Sequence, residues 1–230
     1  NVVDARTYTS KDGYATAVFV SASGVERIRT TAESHRRIAI IEVMGRHSGF
    51  IACYAALAGS NVDFVLIPEV PFELDGEGGL LETLRHRLTK RGSAVIVVAE
   101  GAGQHLMQTD VATDASGNKR YGDIGPFLKD RINAFFKERR TEVNLKYIDP
   151  SYIVRSVPAN PQDNVYCSRL AQAVVHAAMA GKTHMLVGRW HNAFVHLPLE
   201  MVTHGRRKVD SKGELWHAVL ESTGQPSRWE

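Results

Sequence analysis

The fold is decided by the stretch Arg37-Ile-Ala-Ile-Ile-Glu-Val-Met-Gly-Arg-His-Ser-Gly49. Its apolar run predicts a buried β-strand that ends at Met44-Gly45-Arg46, and a helical pattern begins at once with Ser48 as its N-cap. A helix N-terminus presents N–H groups and a positive dipole end, and an arginine offers a planar charged fork that fits phosphate oxygens. The stretch therefore predicts a strand, a helix and an anion site at their junction.

The same alternation of short apolar runs and helical patterns continues along the chain. Runs such as Ala94–Ala99 are apolar on both faces, which is typical of parallel strands covered by helices on both sides. The predicted fold class is a three-layer α/β fold, with a mostly parallel sheet and helices on both faces. No domain boundary is evident, so residues 1–230 are taken as one chain segment, and the position of an internal boundary stays open. We expect strands at 37–43, 62–67, 93–99, 143–148, 183–188 and 193–197, and helices at 14–31, 48–58, 80–90, 127–140, 163–180 and 215–221.

The composition excludes several classes of protein. Of the 230 residues, 43% are hydrophobic and 23% are charged, and the net charge is +3. This charge is too small to indicate a nucleic-acid partner, since an anionic small substrate accounts for it equally well. No apolar run approaches the roughly 20 residues of a membrane span, and no signal-peptide pattern opens the chain. Cys53 and Cys167 lie in apolar helical patterns and are expected to be buried free thiols, which favours a reducing, cytoplasmic location.

Polar residues follow three of the predicted strands at their carboxyl ends, where ligands bind in such sheets. They are Met44-Gly45-Arg46, then Glu100 with Gly101-Ala-Gly-Gln104, and then the segment from Tyr147 to Arg155. Cations suit a phosphate group and a carboxylate suits hydroxyl groups, so the mixture favours a sugar phosphate.

Other interpretations of the same residues stay open at this point. Arg46 could form a surface ion pair, Glu100 could be solvated or cap a helix, and Gly101–Gly103 could be only a turn. The sequence has no His-x-x-x-His pair and only two isolated cysteines, so no metal site is predicted. Asp110, Asp114 and Asp123 are interpreted as solvated residues or local caps.

The chain closely resembles the phosphofructokinase family, whose members transfer a phosphoryl group from ATP or pyrophosphate to fructose 6-phosphate. The resemblance runs from about Gly13 to Pro226 and is closest to the plant-type or pyrophosphate-type branch. The segments that carry it are Thr31–Arg46, Leu66–Glu69, Val97–Gln104, Tyr147–Arg155, Asp163-Asn164 and Ala177–Gly181.

The resemblance implies a role for eight residues. Met44, Gly45 and Arg46 would line the fructose 6-phosphate site, with Arg46 stabilising the transferred phosphoryl group. Glu100 would bind sugar hydroxyls. The remaining assignments are Tyr152 and Arg155 for the sugar and its 6-phosphate, and Arg37 and Lys146 for the sugar site of a neighbouring subunit. At Lys146 some relatives have an arginine, and a lysine supplies a charge but no bidentate fork.

The resemblance also implies what lies outside this chain. The family's catalytic aspartate, in a Thr-Ile-Asp-Asn-Asp motif, is expected upstream of Asn1, together with the loop that binds the donor phosphates. Mg²⁺ is expected to be held mainly by the phosphoryl donor and by residues outside this chain. The expected partners are fructose 6-phosphate, ATP or pyrophosphate, and identical subunits in a dimer or tetramer, with no nucleic acid and no membrane.

Two functions are compatible with these implications. The first is the sugar-phosphate half of a 6-phosphofructokinase of glycolysis, inactive as this chain alone. The second is a non-catalytic regulatory or binding subunit that retains the sugar-phosphate pocket. A generic α/β binding domain is the third and weakest interpretation.

Overall fold

The computed structural model describes residues 13–107, 121–191, 193–203 and 207–229. The chain divides into two compact units, one formed by Asn1–Phe19 and Ser156–Arg207 and the other by Val20–Arg155 and Lys208–Glu230. The chain passes between them three times: inside the helix Tyr14–Ser34, at the end of the helix Ser151–Ser156, and between Arg207 and Lys208.

The larger unit contains a four-stranded sheet in the order β2-β3-β1-β4, with every neighbouring pair parallel. This confirms the predicted α/β class. Its strands are β1 (Arg37–Val43), β2 (Phe64–Leu66), β3 (Ala94–Ala99) and β4 (Asn144–Ile148). The α-helices of the described residues are α1 (Tyr14–Ser34), α2 (Phe50–Gly59), α3 (Leu80–Arg91), α4 (Ile124–Glu138), α5 (Ser151–Ser156), α6 (Pro161–Met179), α7 (Leu199–Thr203) and α8 (Glu214–Thr223).

Strands β1, β2 and β3 are buried on both faces because their side chains alternate between two apolar clusters, whereas the edge strand β4 is partly exposed. In β1, Ile38 and Ile40 pack with α3 and α4, whereas Ala39 and Ile41 pack on the opposite face with residues of α1, α2 and α8. All six residues of β3 are buried. Since the two covered faces leave only the strand ends open, a ligand of this unit is expected at an edge of the sheet.

Several element bounds differ from the sequence prediction. Helix α2 begins at Phe50, not at Ser48, and β2 is only three residues long. Helix α4 begins three residues earlier than predicted, at Ile124. Helices α5 and α7 and a short 3-10 turn at Gln104–Leu106 were not predicted, because six or fewer residues show no helical period.

The smaller unit contains an antiparallel pair, β5 (Met185–Trp190) and β6 (Ala193–Pro198), together with α6 and α7. The buried carboxylate of Asp163 accepts hydrogen bonds from the backbone N–H and the hydroxyl of Thr16, at 2.7 and 2.6 Å. The Asn160 side chain caps α6 by accepting a hydrogen bond from the Asp163 N–H. A buried carboxylate with several donors thus fixes the start of α6 within this unit.

Within the described ranges, no helix is long and apolar enough to cross a membrane. Both cysteines are free thiols, as expected, but only Cys53 is buried, and Cys167 is half-buried. Burial raises the pKa of the Cys53 thiol to about 12, so it stays protonated.

Candidate functional site

The predicted site residues gather at the carboxyl edge of the sheet. Because β1, β3 and β4 are parallel, their carboxyl ends share one edge. Arg46 follows β1, Glu100 follows β3, and α5, which carries Arg155, begins three residues after β4. The convergence that the sequence alone left open is therefore present for these three segments.

Hydrogen bonds continue from β1 and β3 into the two loops that follow them. The Glu100 N–H donates to the Val43 carbonyl at 3.0 Å, and the Gly101 N–H donates to the Gly45 carbonyl at 3.2 Å. The Gly45 N–H in turn points at Oε1 of Glu100, at 3.4 Å. The cation that follows Gly45 and the carboxylate of Glu100 are therefore carried by two segments held in fixed register.

Glycine at position 101 is required by this close approach. A Cβ atom on Gly101 would lie 2.0 Å from the Arg46 carbonyl oxygen, closer than any real Cβ contact. A Cβ on Gly45 would lie 2.8 Å from the Ser48 carbonyl and 3.0 Å from Ala99 Cβ. The Met-Gly-Arg and Glu-Gly-Ala-Gly motifs contain glycine where the two backbones touch.

Arg46 lies against an aromatic residue that the sequence analysis did not select. Its guanidinium carbon is 4.8 Å from the centre of the Tyr121 ring. The Tyr121 hydroxyl is hydrogen-bonded to Nδ1 of His47 at 3.1 Å, and the two rings meet edge to face. Neither contact could be read from sequence, because Tyr121 stands in a polar segment with no motif.

Gln104 ties the segment that carries Tyr121 to the end of β3. Its side-chain amide donates to the carbonyl oxygens of Glu100 and Gly122, each at 3.1 Å, and its Oε1 accepts from the Gly122 N–H at 3.0 Å. Gln104 therefore fixes the backbone beside Tyr121 relative to Glu100.

The start of α2 is arranged differently from the prediction. Its N-cap is Gly49, not Ser48, and no side chain of the cap residue bonds to the helix. Instead, both carboxylate oxygens of Glu69 accept from the Gly49 N–H, at 3.1 and 3.0 Å, and Oε1 also accepts from Val209 N–H at 2.8 Å. A carboxylate of the chain itself therefore lies at the positive end of the helix. The predicted use of this helix end as an anion cradle gains no support, and Arg46 is the cation at this junction.

A second internal carboxylate lies below the site in β1. Glu42 accepts from the Tyr147 hydroxyl at 2.9 Å and from the Gly125 N–H at 3.1 Å, which joins β1, β4 and the first turn of α4. Burial raises the pKa of Glu42 above its ordinary value of 4.5, and the hydrogen bonds from Tyr147 and Gly125 counteract this only in part.

Arg37 and Lys146 are not part of this constellation. Arg37 begins β1, so the roughly 20 Å length of a seven-residue strand separates it from Arg46. The Nε of Arg37 is buried without a hydrogen-bond partner among the described residues. Lys146 is exposed in the edge strand β4 and is paired in register with Ala39, so it lies on the same sheet face as Arg37. Arg37 and Lys146 thus lie on the same face of the sheet, and both are distant from Arg46 along the strands.

For the other residues selected from the sequence, the structure gives their exposure or their position in an element, and some lie outside the described residues. Met44 is half-buried beside Gly45, and Arg155 is exposed on α5. The side chain of Tyr152 lies outside the described structure. Asp123 is exposed at the start of α4 and makes no side-chain cap, whereas Asp110 and Asp114 lie outside the described residues.

No group of three or more His, Cys, Asp or Glu side chains that could hold a metal ion occurs within residues 13–107, 121–191, 193–203 and 207–229. The expected Mg²⁺ stays a prediction from the resemblance.

The amino-acid sequence matches a known protein family. The family model described as Phosphofructokinase covers residues 6–178. The chain belongs to the phosphofructokinase family. Among curated relatives it is 50% identical, over 92% of its length, to the ATP-dependent 6-phosphofructokinase of Amycolatopsis methanolica. It is 45% identical, over 94% of its length, to ATP-dependent 6-phosphofructokinase 7 of Arabidopsis thaliana.

The chain spans about half the length of these relatives, 47% of the first and 45% of the second. Among solved structures, the pyrophosphate-dependent phosphofructokinase of Nitrosospira multiformis matches 99% of the chain with a TM-score of 0.70 at 17% identity, over 59% of that chain. At this identity the likeness supports the phosphofructokinase fold and no more.

Proposed function

We propose that this chain supplies the sugar-phosphate site of a 6-phosphofructokinase, which transfers a phosphoryl group to the 1-hydroxyl of fructose 6-phosphate. The observation that carries the proposal is the hydrogen bond from the Gly45 N–H to the carboxylate of Glu100. It joins the loop of the Arg46 cation to the carboxylate, so groups suited to phosphoryl oxygens and to sugar hydroxyls lie at one edge.

A cation and a hydrogen-bond acceptor are the main groups that phosphoryl transfer to a sugar requires from this part of the protein. Phosphoryl transfer depends mainly on positioning the reactants and on stabilising charge on the transferred oxygens. In the proposal Arg46 stabilises that charge, Glu100 accepts hydrogen bonds from sugar hydroxyls, and Tyr152 and Arg155 hold the sugar and its 6-phosphate. The reaction also needs a base that deprotonates the 1-hydroxyl, and the resemblance assigns this role to the aspartate of the family motif Thr-Ile-Asp-Asn-Asp.

The names of the relatives favour ATP as the phosphoryl donor and favour an enzyme over a non-catalytic subunit. The curated relatives at 45 and 50% identity are named ATP-dependent enzymes. The pyrophosphate-dependent protein is similar at only 17% identity. We therefore propose ATP as the donor of the complete enzyme.

The proposal extends to a homo-oligomer. Arg37 and Lys146 lie on one face of the sheet, Lys146 is exposed in the edge strand, and both lie away from Arg46. This position supports their proposed role at the sugar site of a neighbouring subunit. A complete enzyme that stays strictly monomeric in solution would contradict the role.

Titration of the chain with fructose 6-phosphate tests the pocket. Arg155→Ala and Arg46→Ala are each expected to weaken binding by about tenfold or more, because each removes a charge-assisted bond to the ligand. Arg131→Ala is the control, since Arg131 pairs with Asp75 on the surface and not with the site. Equal affinity in all four proteins would contradict the site assignment.

Turnover is tested in the complete enzyme, in which this chain is joined to the donor-binding part that the proposal requires. Coupled assays with ATP and with pyrophosphate are compared at equal fructose 6-phosphate. Turnover with ATP supports the proposed reaction, turnover with pyrophosphate alone reverses the assignment of the donor, and turnover with neither overturns the reaction.

A further inference from the structure

The guanidinium of Arg46 lies over the ring of Tyr121, with 4.8 Å between the guanidinium carbon and the ring centre. We propose that Tyr121, held by His47, is a positioning residue that fixes the plane of the Arg46 guanidinium for phosphoryl transfer. The inference deepens the proposed function of Arg46 and therefore rests on it.

An aromatic ring orients an arginine without occupying the part that binds phosphate. The cation–π contact uses the face of the guanidinium, whereas the five N–H donors point outward in its plane. The Tyr121 ring therefore suits a residue whose N–H groups must meet phosphoryl oxygens.

Orientation matters because the arginine side chain has many rotamers. A flexible arginine loses this freedom when it binds the transition state, and a pre-oriented one does not. Arg46 follows a rigid strand, but a strand end fixes only its backbone. The Tyr121 ring supplies a constraint on the side chain itself.

Tyr121 is in turn held through its side-chain hydroxyl and through the backbone of the residue that follows it. Its hydroxyl is 3.1 Å from Nδ1 of His47, the residue after Arg46. The next residue, Gly122, is bonded through its N–H and its carbonyl to the side chain of Gln104, which also bonds to the Glu100 carbonyl. One segment thus links the proposed phosphoryl-binding cation to the proposed sugar-binding carboxylate.

Kinetics of the complete enzyme test the role. Tyr121→Leu is expected to lower kcat about tenfold, with the KM for fructose 6-phosphate changed less than about twofold, because the lost orientation is needed in the transition state. Tyr121→Phe keeps the ring and loses only the His47 bond, so its kcat is expected to fall about two- to threefold. Tyr54→Leu, an exposed tyrosine of α2, is the matched control.

A double-mutant cycle separates this role from a general structural effect. In the Arg46→Ala background, Tyr121→Leu is expected to change kcat by less than about twofold, because the residue it orients is absent. An unchanged kcat in Tyr121→Leu, or an equal loss in both backgrounds, would overturn the inference.

A second measurement does not depend on activity. In the arginine-labelled chain, the side-chain resonance of Arg46, assigned by its loss in Arg46→Ala, is expected to be shifted upfield by the ring current of Tyr121. The shift is expected to persist in Tyr121→Phe and to vanish in Tyr121→Leu. If the unsubstituted enzyme has no turnover, the proposed function fails and this shift still decides the contact. If turnover is present but the shift is not, the inference alone fails.

Discussion

Two carboxylates flank the loop between β1 and α2, and they are used in opposite ways. Glu69 lies at the Gly49 end, where its oxygens accept from two backbone N–H groups, those of Gly49 and Val209, at 2.8 to 3.1 Å. Glu100 lies at the Gly45 end, where among the described residues its carboxylate accepts one hydrogen bond, a long one of 3.4 Å. The first carboxylate is engaged by the fold, whereas the second retains capacity to accept from a ligand.

One loop can therefore be rigid at one end and able to bind a ligand at the other. A carboxylate that satisfies backbone donors stabilises the fold and is costly to remove. A carboxylate with one weak partner contributes little to folding and can be used for binding. Mutation of Glu69 at the Gly49 end is therefore expected to lower the stability of the fold. Mutation of Glu100 at the Gly45 end is expected to lower ligand affinity.

The largest expected effect comes from Gly101→Ala at the Gly45 end. Its Cβ would lie 2.0 Å from the Arg46 carbonyl, so one backbone must move, at a cost of about 3 kcal/mol in the free energy of unfolding. Gly24→Ala in α1 is the control, because its Cβ would meet nothing within 4 Å and alanine favours a helix by about 0.5–1 kcal/mol. Urea unfolding of both variants measures the contrast, and equal stabilities would contradict the close approach.

Next in size is Glu69→Ala, which leaves the N–H groups of Gly49 and Val209 without their acceptor. We expect a loss of about 2–3 kcal/mol in the free energy of unfolding. Glu69→Gln keeps an acceptor oxygen and is expected to lose less. Glu138→Ala, an exposed carboxylate of α4, is the control and is expected to stay within about 0.5 kcal/mol of the unsubstituted chain. A control-sized effect in Glu69→Ala would remove the distinction between the two carboxylates.

Part of this arrangement could be predicted from the sequence, and part could not. Periodicity predicted the sheet and the edge at which Arg46 and Glu100 both lie, because apolar runs and strand ends are local patterns. The role of Glu69 could not be predicted, although it stands in a recognised motif, because its donors are 20 and 140 residues away. The prediction of Ser48 as N-cap was wrong for the same reason, since Glu69 supplies the negative charge from a distance.

Glu100→Ala is expected to show the complementary behaviour. It should lower the affinity for fructose 6-phosphate by about tenfold, the effect of losing a hydrogen bond to a charged group, while the free energy of unfolding changes by less than about 1 kcal/mol. Titration and urea unfolding on the same preparation compare the two quantities. A loss of stability as large as that of Glu69→Ala, with unchanged affinity, would reverse the roles assigned to the two carboxylates.

The smallest expected effect concerns Glu42. Its carboxylate accepts hydrogen bonds from Tyr147 and Gly125, but these offset the cost of burying its charge only in part. Burial raises its pKa above 4.5 in the folded chain, so its stabilising contribution is complete below that value and is lost as the pH rises through the folded pKa. Glu42→Gln cannot ionise. Its stability relative to the unsubstituted chain is therefore expected to improve as the pH is raised from about 4 through the shifted pKa. Asp63, whose pKa burial also raises, is present in both proteins and cancels in this difference.

Tyr147→Phe sharpens the test of Glu42, because the hydrogen bond from Tyr147 lowers the pKa that burial raises. Removing this hydrogen bond is expected to shift the pH range over which ionisation of Glu42 changes the free energy of unfolding to higher pH. In Glu42→Gln this pH dependence is absent. Urea unfolding at a series of pH values measures both. A difference between Glu42→Gln and the unsubstituted chain that does not vary with pH would mean that Glu42 is as fully compensated as Glu69. In that case the number of donors, and not the depth of burial, would decide how a carboxylate in this sheet contributes to stability.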